Sequence, residues 1–292
     1  EYLMLAKIFV ILALAAAAIN AADPIPNIIF HGLGDSCDFP GMGNFTKTVA
    51  EATGAYTRCI KIGYFQSIEG IAIPMPLQVE EACKKVTADK NFQGTVNVVG
   101  LSQGGLLARS MIEQCGLSGR VSRLLSIGGP QMGVAQYPNC HEGVVCTALN
   151  WGIDQVVYTP VGIDFTAPAG YFKDPKDYEG YLKDSIYLPN LNNEKEKKNE
   201  DYKAKMIALD KVMLVLFEED TVLYPRETAW FGYYDANMNL LSMEETDLYK
   251  QNFIGLKELN EADKIEFVSI KGNHLEFTQE DTLKIFVPFL TE

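Results

Sequence analysis

The sequence predicts an α/β fold in which a mostly parallel central sheet is flanked by helices and interrupted by one irregular insertion. Two patterns carry this prediction. Short aliphatic or β-branched runs stop at glycines and give way to amphipathic stretches, the signature of strands alternating with crossover helices. That alternation breaks once, for a long segment rich in aromatics and prolines, and then resumes.

The first strand is Asn27-Ile28-Ile29-Phe30, which stops at the glycine turn His31-Gly32-Leu33-Gly34-Asp35. Over residues 76–87, Val79, Cys83 and Val86 recur at helical spacing, with Glu80, Glu81, Lys84 and Lys85 opposite. Thr95 to Val99 is β-branched and ends at Gly100. The following helix, Gln103 to Gln114, places Leu107, Met111 and Cys115 on one stripe. Val121 to Ile127 reads as another strand, ending at Gly128-Gly129-Pro130. From about Gln131 to Ala204 lies the insertion, with Tyr137, Trp151, Tyr158, Tyr171 and Tyr187 among its aromatics. Its hydrophilic run, Asn192 to Asp201, is expected to be a solvated helix face or loop. Strands then return at Lys211 to Phe217, followed by Glu218-Glu219-Asp220, and at Ile265 to Ile270, followed by Gly272-Asn273-His274. A closing helix is expected, with Thr278 as N-cap, Asp281 three residues on, and Leu283, Phe286, Val287 and Leu290 as its apolar face.

Composition bounds the class. The 292 residues are 47% hydrophobic and 22% charged, which is globular rather than disordered. A net charge of -13 excludes nucleic acid as a natural partner and repels anionic membranes at neutral pH, while suiting an acidic compartment. Lys7 precedes the apolar run Ile8 to Ile19, which ends in small residues around Ala21 and Ala22. This predicts a signal peptide over 1–22, shorter than the ~20 apolar residues of a membrane span. A catalytic domain over 23–292, monomeric, is expected to follow. The six cysteines show no metal-ligand spacing. Behind a signal peptide they read as disulfides, with about 15 possible connectivities. Asn44-Phe45-Thr46 is a glycosylation sequon.

Gly100-Leu101-Ser102-Gln103-Gly104 is a G-x-S-x-G element set between a strand and a helix. A serine on such a tight turn projects its hydroxyl at the carboxyl edge of the sheet, above a helix N-terminus. This setting points to the α/β-hydrolase fold with Ser102 as nucleophile. A serine hydroxyl needs a base, and the chain has three histidines. The order of this fold is serine, acid, histidine, and His274 alone follows the last strand. His31 is read as shaping the turn whose Leu33 amide, with that of Gln103, stabilises an oxyanion. His141 is read as a surface residue. Asp220, just past an intermediate strand, is the acid; Glu218 and Glu219 are rivals by proximity, and Asp210 lies at the wrong strand end.

These residues resemble the palmitoyl-protein thioesterases, especially the lysosomal type-one enzymes, over nearly all of residues 23–292. The likeness is carried by His31-Gly32-Leu33-Gly34-Asp35-Ser36-Cys37, Gly100-Leu101-Ser102-Gln103-Gly104-Gly105, Ser126-Ile127-Gly128-Gly129-Pro130-Gln131, Trp230-Phe231-Gly232-Tyr233, Gly255-Leu256-Lys257-Glu258-Leu259 and Gly272-Asn273-His274-Leu275. The resemblance implies hydrolysis of thioesters between long-chain fatty acids and cysteines of S-acylated proteins or peptides, without metal or organic cofactor, in the lysosome or after secretion. It implies the same triad and oxyanion amides, an apolar acyl groove in the insertion, and disulfides Cys83–Cys115 and Cys140–Cys146. The first of these closes a loop that contributes about 3–4 kcal/mol by chain entropy. Two departures stand out. The family has a second cysteine where Asp38 stands, leaving Cys37 either to pair with Cys59 or to stay free, and the family's glycosylation sites in the second half are absent. Other readings on this fold are a lipase or esterase, an acyl-CoA thioesterase, and a non-catalytic binding protein.

Overall fold

The computed structural model describes residues 23–136 and 166–292. The expected signal peptide, His141, Tyr137, Trp151, Tyr158 and the expected Cys140–Cys146 pair lie outside the described residues.

Six parallel strands form the central sheet in the order β2-β1-β3-β4-β5-β8, from β1 (Asn27–Phe30), β2 (Thr57–Cys59), β3 (Val96–Leu101), β4 (Val121–Ile127), β5 (Lys211–Phe217) and β8 (Ile265–Ile270). A separate antiparallel pair joins β6 (Tyr233–Tyr234) to β7 (Leu240–Leu241). The inner strands β1, β3, β4 and β5 are covered on both faces and almost wholly buried, the edge strand β8 exposes Phe267 and Ser269, and alternate residues serve different cores. Ile28, Phe30, Val98, Leu124, Val212, Leu214 and Leu216 share one core with helices α2 (Met75–Ala88), α3 (Gln103–Gln114) and α4 (Glu200–Ile207). Ile29, Val99, Leu125, Met213, Val215 and Phe217 share the other with α1 (Pro40–Thr53) and the C-terminal segment bearing Phe286, Phe289 and Leu290. The chain winds outward from β1 in both directions, so the crevice beyond β1 and β3 is a topological switch point, where this architecture places ligands.

Several local expectations are corrected. Strand β3 runs on past Gly100 to Leu101, delivering the chain directly to Ser102. Helix α3 is buried over its whole circumference rather than along one stripe, because α4 and the insertion cover its outer side. Asn192, Asn193 and Glu194 are buried, not solvated, and only the later part of that run is exposed. Glu194 accepts from Lys173 and Tyr181, and Asn192 Oδ1 accepts from Arg109 Nη2. In the closing helix Thr278 and Asp281 form the expected capping box. A π-turn over Thr282–Phe286 then rotates Leu283 outward to 44% exposure, while Phe286, Val287 and Leu290 stay buried. Cys83–Cys115 staples α2 to the end of α3, and Cys37 pairs with Cys59 at the sheet edge.

Arg109 and Glu113, one turn apart on α3, are wholly buried with 3.6 Å between their charged groups. Burial pushes the Glu113 carboxyl up to about 8, against the pull of Arg109 and Lys205. The folded state therefore holds a proton that an unfolded chain, with a carboxyl near 4.5, has released above that pH. Folded-state stability must fall as pH rises between those two values. Glu113→Gln should remove this share of the slope. Denaturant midpoints taken at about pH 5 and about pH 7.5 should then differ less in the variant than in the wild type. Equal differences would contradict the assignment.

Candidate active site

Ser102 follows β3 and precedes α3 with φ 51° and ψ -126°, a conformation that a non-glycine residue holds only under constraint. The constraint comes from tight packing of the elbow. A side chain at Gly100 would meet the Gly104 carbonyl at 2.1 Å, and one at Gly104 would meet the Phe30 carbonyl at 2.3 Å. Both positions therefore demand glycine. The Ser102 amide donates to Ile127 O at 2.9 Å, tying the elbow to the end of β4.

The structure brings the three sequence-predicted side chains into one hydrogen-bonded line. His274 Nε2 lies 2.8 Å from Ser102 Oγ, and His274 Nδ1 lies 2.6 Å from Asp220 Oδ2. An ionised carboxylate only accepts, so Nδ1–H donates to Asp220 and Nε2 is left to accept from the Ser102 hydroxyl. The other oxygen of Asp220 accepts from the amides of Val222 and Leu223 at 2.8 and 2.9 Å. The Asp220 side chain is 2% exposed and that of His274 10%. Of the rivals, Glu218 accepts from Ser269 Oγ, and Asp210 pairs with Arg120 and Ser122 at the opposite end of the sheet.

His31 is buried, with Nδ1 donating to Gly32 O at 2.9 Å and Nε2 without a partner among the described residues. Burial holds its imidazole below the ordinary value, against the opposing pull of the Gly32 carbonyl and Asp35. It sits in the turn that carries Leu33. Gln103 opens α3, so its amide has no acceptor within the helix.

The family model for palmitoyl protein thioesterase matches residues 26–274. The chain belongs to the palmitoyl protein thioesterase family. A Caenorhabditis elegans protein named palmitoyl-protein thioesterase 1 is 34% identical, with 88% of each chain covered. The Drosophila melanogaster lysosomal thioesterase PPT2 homolog is 30% identical over 91% of each. Among solved structures, a Paleococcus ferrophilus monoacylglycerol lipase is similar with a TM-score of 0.47 and 14% identity, over 92% of this chain and 96% of that one.

In this thioesterase several residues around the triad were not anticipated from the sequence. Asn273 Oδ1 accepts from the Thr221 amide at 2.9 Å, the Thr221 hydroxyl at 3.0 Å and the His274 amide at 2.7 Å, locking the acid loop to the histidine loop. The Gln103 side chain is clamped by Gly70 O at 2.9 Å, Gln78 at 3.4 Å and the Tyr171 hydroxyl at 3.1 Å. Neither clamp has a local signal, since Thr221 is distant in sequence from Asn273, and Gly70, Gln78 and Tyr171 from Gln103. Leu101 and Leu275, the chain neighbours of Ser102 and His274, line a cavity of about 620 Å³. Met42, Phe45 and Phe277 add apolar lining, and Asn44 is exposed at its edge. This cavity is built from α1 and the C-terminal segment. The acyl groove expected in the insertion falls partly on residues 137–165, outside the described residues.

Proposed function

We propose that this thioesterase hydrolyses the thioester joining long-chain fatty acyl groups, palmitate among them, to cysteines of S-acylated proteins or peptides. The observation that carries the reading is the unbroken hydrogen-bond line from Asp220 through His274 to the hydroxyl of Ser102, in a chain of this family. His274 takes the Ser102 proton as Oγ bonds to the carbonyl carbon. The amides of Leu33 and Gln103 receive the developing oxyanion at a helix N-terminus, where the backbone dipoles favour negative charge. The carbon–sulfur bond breaks, and the leaving cysteine takes the proton from His274. His274 next deprotonates water, which attacks the acyl-enzyme and releases the fatty acid and free Ser102. The scheme uses no metal or organic cofactor. The relatives named as lysosomal, together with the acidic surface, support a lysosomal destination reached through the secretory route, with a glycan on the exposed Asn44.

The test is a chain-length series of acyl-cysteine peptides beside matched oxygen esters and acyl-CoA. Each buried methylene offers about 0.8 kcal/mol. Specificity, read as kcat/KM, is therefore expected to climb steadily toward long chains and to favour the cysteine thioester. A maximum at short chains, or a preference for oxygen esters or acyl-CoA, would move the assignment to an esterase or an acyl-CoA thioesterase.

A further inference from the structure

Phe39, Tyr64, Phe65 and Ile68 stand in water at 47%, 85%, 65% and 64% exposure. They come from two segments that the fold sews together. Cys37–Cys59 links the turn before α1 to the end of β2. The Gln66 side chain, on a residue 2% exposed, accepts from the Cys37 amide at 3.0 Å and donates to Asp38 at 2.8 Å. Gln66 itself is held at φ 47°, and the Glu69 carboxylate accepts from the amides of Phe65 and Gln66 at 2.7 and 3.0 Å. The Tyr64 and Phe65 rings meet edge to face with centroids 5.0 Å apart. A disulfide, a buried amide and a carboxylate cap thus brace a loop whose apolar side chains face outward. Such a braced apolar display marks an interaction surface.

Its position ties it to the catalytic rim. The Gly70 carbonyl at the end of this loop accepts from Gln103 Nε2, and a side chain at Gly70 would come within 3.9 Å of His31 and 4.0 Å of the Gly34 amide. The loop therefore abuts the turn that carries Leu33. The chemistry favours lipid as the occupant. Phenyl and sec-butyl groups beside a tyrosine suit the boundary between acyl chains and headgroups. The neighbouring charged groups are already engaged: Lys61 pairs with Asp38, Lys85 with Glu81, and the Glu69 carboxylate accepts from the Phe65 and Gln66 amides. The net charge of -13 disfavours an anionic surface. We propose that the Phe39–Tyr64–Phe65–Ile68 face is a membrane-contact surface that seats this enzyme on zwitterionic lipid, with its catalytic rim toward the bilayer. The seating rests on this face alone, whereas its use in presenting S-acyl chains rests on the function proposed above.

The experiment is flotation of the full chain with phosphatidylcholine vesicles, with and without added phosphatidylserine. Wild type is expected to float with phosphatidylcholine vesicles, and phosphatidylserine to weaken binding at neutral pH. Combining Tyr64→Asp with Phe65→Asp should cut partitioning by about tenfold or more, with circular dichroism and turnover of a soluble short-chain thioester unchanged. Phe39→Asp is a second variant that spares the fold. Phe39 is the N-cap of α1 without a side-chain cap, a position where aspartate is preferred. It too should weaken flotation. The proposal fails if wild type does not float, if the variants float equally well, or if binding needs anionic lipid. Self-association abolished by the same variants, without flotation, would assign the face to a second copy of this chain. Because the readout is binding, an error in the thioesterase reading leaves these outcomes intact.

Discussion

Replacing Ser102 with alanine should leave a folded protein whose thioester turnover has fallen by about 10⁶-fold, the scale on which serine hydrolases depend on their nucleophile. The fold should survive because both residues carry the same Cβ, so the left-handed elbow is no more strained in the variant. Among the described residues the lost hydroxyl bonds only to His274 Nε2, at 2.8 Å. What the variant loses is the atom that forms the acyl-enzyme. The oxyanion amides and the substrate contacts remain and can sustain only a small residual rate. Mass spectrometry after treatment with a fluorophosphonate provides the companion measurement: wild type should gain one adduct on Ser102 and the variant none. Turnover within tenfold of wild type in Ser102→Ala would remove this residue from the chemistry, whereas the absence of any adduct on Ser102 in folded wild type would favour the non-catalytic binding reading.

The sequence is informative where the physics is local. Strands β1, β4 and β5 could be delimited because inner strands covered on both faces are mostly apolar runs bounded by turn residues, and the edge strand β8 because it alternates polar and apolar residues before a glycine turn. Strand β2 could not, since Thr57-Arg58-Cys59 is a three-residue edge with no apolar run to mark it. Helix α1 carries a usable stripe in Met42, Phe45 and Val49, but Gly41, Gly43 and an uncapped Phe39 dilute the signal. The three candidate side chains could be singled out because a serine at a glycine elbow and a small number of histidines narrow the choice, and the structure brings them into one hydrogen-bonded line. The supports of the site were hidden. Asn273, Gln78 and Tyr171 act through partners that only the folded chain brings near, and a polar side chain in a loop gives no sign of which backbone it will lock. The same blindness explains Asn192 and Glu194, whose burial depends on Arg109 and Lys173.

Asp220→Asn should lower kcat by about 10⁴-fold with the architecture intact, and the surrounding bonds dictate why. Asp220 Oδ1 accepts from the Val222 and Leu223 amides. In the variant the carboxamide oxygen must stay there, because the alternative turns an NH₂ group against two N–H donors. Its NH₂ is then forced to face His274 Nδ1, where Oδ2 now accepts at 2.6 Å. A donor in that place requires Nδ1 to become the acceptor, which moves the ring proton to Nε2. The imidazole then presents N–H to the Ser102 hydroxyl and cannot take its proton. Substrate binding makes no use of this exchange, so KM should change little while kcat collapses. Raising the pH should recover part of the rate, as hydroxide substitutes for the misplaced base. A variant that kept wild-type kcat would show that the carboxylate charge and its tautomer control are not used. A variant that lost KM and kcat together would point instead to a structural role for this loop.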